Sequence, residues 1–179
     1  MITKPIPYGR QHITDEDIQC VIDALKSDYL TQGPKIKEFE EAFASYVGCK
    51  YAIAVNNATA GLHLAATALD VNLGDKVIVT PLTFAASANC IRFRGGEVVF
   101  CDVEEDTYLM DIKKLSRLLS QSPKGTYKGI VLVDFAGYPA NLEAFRQLAD
   151  ESGLWILEDA CHATGGSFIA RKGDTQQCG

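Results

Sequence analysis

The sequence predicts an α/β fold with three layers, in which helices cover both faces of a mostly parallel sheet. From about residue 49 onward, short apolar runs alternate with stretches of helical spacing, as in βαβ units. Two of these runs end in acidic residues, residues 129–133 before Asp134 and residues 154–157 before Glu158 and Asp159. A length of 179 residues is enough for a sizeable core.

Residues 1–48 predict a helical segment that precedes the sheet. Thr14 is a typical cap for a first helix, because acidic residues follow it in the first turn, and that helix is expected to end near Lys26. Pro34 is suited to begin a second helix and Gly48 to end it. Residues 29–34, between the two helices, are predicted to form a turn.

Residues 49–179 are predicted to form part of a larger ligand-binding domain. The expected strands are residues 51–55, 76–80, 97–101, 129–133 and 154–159, with one more short strand and a turn in the tail. The expected helices are residues 62–69, residues 85–94, one capped by Asp111 and one capped by Asn141. Strands of this length, joined by helices, predict parallel pairing.

The composition argues against several classes of protein. A net charge of -6 disfavours a nucleic-acid surface, and no apolar run approaches the length of a membrane span. The first residues have no apolar signal core, so we expect a cytoplasmic protein. The six cysteines form no CxxC pair and no zinc spacing, so they are interpreted as reduced packing residues, with disulfides the less favoured alternative, and no metal site is assigned.

Asp159 is the first candidate for chemistry. The strand before it is predicted to be buried on both faces, and ligands of open α/β sheets bind outside the carboxyl ends of such strands. The alternative, equally weighted from this stretch alone, is that Asp159 caps the next segment. His162 could donate a hydrogen bond to the same ligand or could be an ordinary core histidine.

Two further stretches could contact a ligand at this edge of the sheet. The turn at residues 57–61 leaves a strand and enters a helix, and its small residues and the Thr59 hydroxyl could hold a phosphate. It is neither a Walker loop nor a GxGxxG motif, and an ordinary helix start is the alternative. Phe84 could stack on a flat ring, although core packing is the usual role of one phenylalanine.

An anion site, an aromatic face, an aspartate and a histidine together fit a flat heteroaromatic ring that carries a phosphate. Pyridoxal 5′-phosphate (PLP) is such a ligand, and a carboxylate such as Asp159 keeps its ring nitrogen protonated.

Four stretches then resemble one family along essentially the whole chain. They are residues 30–34, residues 57–62, residues 83–89 and residues 158–163. In this order and spacing they resemble the DegT/StrS family of sugar aminotransferases, which are PLP-dependent enzymes of fold type I. Tyr8, residues 30–33 and His162 are most similar to the pseudaminic-acid branch. Enzymes of that branch transfer an amino group from L-glutamate to C4 of a UDP-linked 4-keto-6-deoxy-N-acetylhexosamine.

The resemblance implies a role for each matching residue. Ala58 and Thr59 would hold the phosphate, and Phe84 would stack on the ring. Asp159 would pair with the ring nitrogen and His162 would contact the 3-oxygen. The residues expected to line the sugar-nucleotide site are Tyr8, Tyr29, Leu30, Thr31 and Gln32.

The resemblance also implies that the Schiff-base lysine lies in a Ser-x-His-x-x-Lys segment beyond residue 179. Lys172 falls in a predicted turn before that segment, and no catalytic residue is assigned. The chain is therefore expected to be an N-terminal part that does not turn over alone and lacks the small C-terminal domain, whereas the complete enzyme would be a homodimer with shared active sites. The alternatives are a sugar dehydratase of the same fold and a fragment that acts only by association.

Overall fold

A computed structural model describes residues 9–169 and 175–178 of the chain. The helices are α1 (Asp15–Lys26), α2 (Pro34–Val47), α3 (Ala58–Ala68), α4 (Ala86–Arg92), α5 (Ile112–Ser120) and α6 (Leu142–Ser152), with a short 3₁₀ turn at Phe135–Gly137. The strands are β1 (Lys76–Val79), β2 (Glu97–Phe100), β3 (Gly129–Val133), β4 (Trp155–Asp159), β5 (Ser167–Ile169) and β6 (Thr175–Gln177). Tyr8 and Lys172 lie outside the described residues.

The main sheet has four parallel strands in the order β2-β1-β3-β4. The chain moves from β1 outward to β2 and then returns to place β3 on the other side of β1. The strand order therefore reverses between β1 and β3, which is where open α/β sheets bind ligands. The predicted α/β architecture with a mostly parallel sheet is confirmed.

Two apolar cores lie on opposite faces of this sheet. Ile78, Ile130 and Leu132 face one core, which α5 and α6 complete with Leu115 and Phe145. The alternating strand residues Val77, Val79 and Val131 face the other core, which α3 and α4 complete with Leu62, Ala66, Cys90 and Ile91. Alternate strand residues point to opposite faces, so a parallel sheet with helices on both sides forms three layers.

The helix ends follow from local sequence. Thr14 and Asp17 form the capping box of α1, Pro34 begins α2, and Gly48 ends it with a left-handed φ of 74°. Asp111 accepts hydrogen bonds from two N–H groups of α5, and Asn141 accepts one from α6. These five predictions are confirmed, since each depends on contacts within one helical turn.

The predicted strand at residues 51–55 is wrong. The structure assigns no strand there, and Tyr51 and Ile53 are exposed. Strands need a hydrogen-bonded neighbour, and among the described residues none pairs with this segment. The Ala54 N–H instead donates to the Glu40 carboxylate of α2 at 2.8 Å.

The strand before Asp159 also differs from the prediction of burial on both faces. β4 pairs only with β3 in the described sheet, so residues 155–158 are half-buried and only Asp159 is buried. The helix predicted at residues 62–69 begins earlier, at Ala58, because the Asn57 side chain caps it by accepting from the Ala60 N–H. The tail contains an unpredicted second strand, β6, which forms an antiparallel hairpin with β5.

The cysteines are free thiols, as expected, but only half of them are packing residues. Cys90, Cys101 and Cys178 are buried, whereas Cys20, Cys49 and Cys161 are exposed. Within the described ranges, no helix combines the length and the apolarity that a membrane span requires.

Candidate functional site

A cavity of about 280 Å³ opens at the carboxyl ends of the strands, beside the reversal in strand order. Its wall includes the start of α3, the loop after β1, the loop after β3 and the end of β4. All five residues predicted to bind a cofactor line this cavity: Ala58, Thr59, Phe84, Asp159 and His162. The fold therefore brings together side chains that are up to 104 positions apart, the separation of Ala58 from His162.

The start of α3 gives the cavity a wall suited to an anion. Ala58 and Thr59 are the first two residues of this helix of 11 residues. Backbone N–H groups in the first turn have no acceptor within the helix, and the helix dipole favours negative charge there. The Asn57 side chain accepts from the Ala60 N–H at 2.9 Å and so caps the helix without using the N–H groups of Ala58 and Thr59.

Phe84 and His162 supply an aromatic ring and an imidazole on the same cavity. Phe84 is 77% exposed, which rules out the alternative that it is a core residue. His162 is also exposed, so it is not an ordinary core histidine. Both side chains are therefore accessible to a ligand in the cavity.

Asp159 is the buried acid of the site, with 7% of its surface exposed. Its Oδ2 accepts a hydrogen bond from the Ser87 hydroxyl at 2.7 Å, and its Oδ1 accepts a longer one from the Cys161 N–H at 3.4 Å. A turn follows β4, and the 3.4 Å bond from the Cys161 N–H means that Asp159 caps this turn as well as lining the cavity, so the cap and a ligand role can coexist. The buried position and the two uneven contacts leave Oδ1 with spare acceptor capacity.

Two buried residues of this region were missed by the sequence reasoning. Asp134 also lines the cavity; its Oδ1 accepts from the Ala140 N–H at 2.8 Å, and its Oδ2 has no hydrogen-bond partner among the described residues. Asp134 could have been found, because it directly follows an apolar run just as Asp159 does. Ser87 gave no such signal, since its contact with Asp159 spans 72 positions of sequence.

The thiol beside Asp159 is held in its neutral form. Burial of the sulfur, together with the neighbouring Asp159 carboxylate, raises the pKa of Cys161 to about 11, although part of the residue is exposed. A thiol with this pKa is almost entirely protonated at neutral pH and is a poor nucleophile. Cys161 therefore lines the cavity but is not expected to act as a nucleophile there.

The residues predicted to bind the sugar nucleotide do not join this cavity within one chain. Tyr29, Leu30, Thr31 and Gln32 lie in the turn between α1 and α2 and are exposed, and none of them lines the cavity. Tyr8 lies outside the described residues.

Comparison with known proteins places this geometry in a family. Residues 11–177 match the model of the DegT/DnrJ/EryC1/StrS aminotransferase family. The UDP-4-amino-4,6-dideoxy-N-acetyl-beta-L-altrosamine transaminase of Campylobacter jejuni is 39% identical over 168 residues, which cover 93% of this chain and 44% of that protein.

Two solved structures share the fold. Helicobacter pylori PseC, an aminotransferase involved in the biosynthesis of pseudoaminic acid, is 30% identical with a TM-score of 0.87, over 98% of this chain and 45% of that chain. Spr1654 of Streptococcus pneumoniae, solved in a PLP form, is 30% identical with a TM-score of 0.83, over 92% of this chain and 45% of that chain. The present chain thus spans less than half the length of these relatives. It belongs to the DegT/DnrJ/EryC1/StrS aminotransferase family.

Proposed function

We propose that this chain is the N-terminal, cofactor-binding part of a PLP-dependent aminotransferase that acts on a nucleotide sugar. The observation that carries the proposal is the buried Asp159, which shares one cavity with the start of α3, Phe84 and His162. The PLP and PMP forms in which Spr1654 was solved support the choice of cofactor.

The residues around the cavity fit this cofactor chemically. Among the described residues, no lysine or arginine forms an ion pair with Asp159. A buried carboxylate without a cationic partner is costly, and a protonated pyridine nitrogen would offset that cost. The N–H groups of Ala58 and Thr59 suit the phosphate, and the exposed face of Phe84 suits the ring.

Each residue then has a defined task in the site. Ala58 and Thr59 bind the phosphate, Phe84 covers the ring, and His162 donates to the 3-oxygen. Asp159 holds the proton on the ring nitrogen, which a carboxylate does best when it is itself ionised. When bound, PLP supplies an electron sink for amino transfer.

We propose L-glutamate as the amino donor and a UDP-linked 4-keto-6-deoxy-N-acetylhexosamine as the acceptor, in the cytoplasm. The names of the Campylobacter and Helicobacter relatives support a 4-amino-4,6-dideoxy sugar product of the pseudaminic-acid type. Tyr8, Tyr29, Leu30, Thr31 and Gln32 remain the predicted contacts of this sugar.

A homodimer with shared active sites would explain how the predicted sugar-binding residues can reach a cavity that they do not line in their own chain. Tyr29 and Leu30 do not line the cavity of their own chain, and they are 65% and 69% exposed. Apolar residues of α1 and α2 are exposed as well, such as Ile18, Leu25 and Phe39. Exposed apolar surface of this kind favours association, and a monomer in light scattering would contradict a dimer of this chain.

We further propose that residues 1–179 do not turn over alone. None of the described residues that line the cavity is a lysine, and transamination needs a basic group to move the proton. Borohydride treatment with PLP, followed by peptide mass spectrometry, should find no specifically modified lysine. A pyridoxyl group at one lysine, together with glutamate-dependent amination, would overturn this part of the proposal.

Titration with PLP tests the cofactor site directly. The wild-type chain should bind PLP, and Asp159→Asn should weaken binding by about 10- to 100-fold, because a charge-assisted hydrogen bond is lost. Asp106→Asn is the matched control, since it removes an exposed carboxylate that does not line the cavity. Equal affinity of the wild type and Asp159→Asn would contradict the proposal.

A further inference from the structure

Three oxygen atoms form a chain that leads from the cavity wall to Asp159. The Thr83 and Ser87 hydroxyl oxygens are 2.7 Å apart, and the Ser87 hydroxyl is 2.7 Å from Asp159 Oδ2. Ser87 is completely buried at the start of α4, and Thr83 lines the cavity. Because Ser87 is not accessible to solvent, water does not compete for the hydrogen bonds of its hydroxyl group.

The direction of these hydrogen bonds follows from proton counting. The Ser87 hydroxyl has one proton and three acceptors within reach: Asp159 Oδ2 at 2.7 Å, the Thr83 hydroxyl oxygen at 2.7 Å and the Phe84 carbonyl at 3.2 Å. Of these three, only the Asp159 carboxylate is an acidic group. A short bond to a carboxylate is stronger than one to a neutral hydroxyl or carbonyl, so the proton goes to Asp159. The Ser87 oxygen must then accept from the Thr83 hydroxyl, which gives the order Thr83, Ser87, Asp159.

We propose that Ser87, supported by Thr83, is a positioning residue that holds Asp159 as a hydrogen-bond acceptor in a fixed orientation. The bond from Ser87 fixes Oδ2 and therefore the plane of the carboxylate. Oδ1, which accepts the longer bond of 3.4 Å from the Cys161 N–H, is then the oxygen left for a ring nitrogen. The inference rests on the proposed function, in which that nitrogen belongs to PLP.

The test compares PLP with its 1-deaza analogue, in which carbon replaces the ring nitrogen. Both ligands carry the same phosphate and ring, so their affinity ratio isolates the nitrogen that Asp159 contacts. Ser87→Ala should reduce the wild-type preference for PLP about tenfold, the effect of one hydrogen bond to a charged group, and Ser87→Thr should restore it. Ser120→Ala is the control, because that exposed helical serine bonds only to the Arg117 carbonyl.

The ratio of the affinities for PLP and for the deaza analogue distinguishes a positioning role of Ser87 from a purely structural one. A reduced preference for PLP in Ser87→Ala and its recovery in Ser87→Thr support the proposal. Equal weakening of both ligands, or no change in either, overturns it. If Ser87→Ala does not fold, Thr83→Val must lower the ratio and Thr83→Ser must retain it, and equal ratios in these two variants overturn the proposal.

A measurement on the chain without cofactor can test the role of Ser87 even if the proposed function is wrong. If the wild-type chain binds neither ligand, the proposed function fails, and the ¹³C NMR shift of the Asp159 carboxyl carbon decides the inference instead. Assigned through Asp159→Asn, that shift should change in Ser87→Ala and stay unchanged in Ser87→Thr and Ser120→Ala. An unchanged shift in Ser87→Ala overturns the proposal.

Discussion

The N–H of Asp134 donates to the carbonyl oxygen of Asp159 at 3.1 Å, where β3 and β4 end side by side. Two buried acidic residues are thus fixed at adjacent strand ends by a backbone hydrogen bond, with both lining one cavity. Their carboxylates accept hydrogen bonds from different parts of the fold. Asp134 accepts from the backbone of its own loop, whereas Asp159 accepts from Ser87 of α4.

Removal of the Asp134 carboxylate should destabilise the fold more than it affects ligand binding. Asp134→Ala leaves the buried Ala140 N–H without its acceptor, which should lower the free energy of unfolding by about 1–3 kcal/mol. Asp134→Asn keeps an acceptor oxygen and should cost less. Urea unfolding measures both, with Asp106→Ala as an exposed control. Equal stabilities of Asp134→Ala and the wild type would show that this contact is not needed.

Cys161 should react slowly with alkylating agents despite its exposure. With its pKa raised to about 11, the thiolate fraction at pH 8 is roughly a hundredfold below that of an ordinary thiol. Peptide mapping after iodoacetamide treatment should therefore show slow modification in the folded chain and fast modification in urea. Asp159→Asn removes one cause of the raised pKa and should accelerate the reaction. An identical rate in Asp159→Asn would contradict the role given to the carboxylate.

The ion pair between Asp75 and Lys128 should make stability depend on pH. The hydrogen bond from Lys128, at 2.8 Å, lowers the pKa of Asp75 below its ordinary value of 3.8. Because the folded-state value is the lower one, this stabilisation is complete above the ordinary value and is lost as the pH falls through the lowered value. Lys128→Met should cost about 0.5–1 kcal/mol at pH 7, since both side chains are partly exposed, and the difference should shrink near pH 3. Unfolding at both pH values checks this; a constant difference would contradict it.

Gly129 should not tolerate a side chain, because a Cβ there would overlap the indole ring of Trp155 on the neighbouring strand. Gly129→Ala should destabilise the fold by about 1–3 kcal/mol, as overpacked cores do. Trp155 is the one tryptophan of the chain, so its fluorescence reports the disturbance directly. Gly9→Ala, which meets no neighbouring atom, is the control. Trp155→Leu in the Gly129→Ala background should recover part of the loss, measured by urea unfolding followed by circular dichroism; a further loss would contradict the overlap.

The sequence was sufficient where structure depends on near neighbours. Thr14, Asp111 and Asn141 cap the starts of their helices and Gly48 caps the end of α2, as predicted, because capping involves residues a few positions apart. β3 has the predicted bounds, since its run of apolar residues suits a strand between two cores. Residues 51–55 have similar local character but no strand beside them, so local sequence predicted a strand that pairing does not form.

In the candidate site, too, some features follow from local sequence and others depend on tertiary contacts. By itself, the sequence determined which residue types stand at the start of α3 and after strands β1 and β4, namely Thr59, Phe84, Asp159 and His162, because local helix and strand signals fix those positions. Only the tertiary structure placed Asp134 beside Asp159 and put the buried Ser87 hydroxyl on its carboxylate. Those contacts join elements that are distant in sequence, and they exist only because the packed sheet and α4 bring the polar groups together where water is excluded.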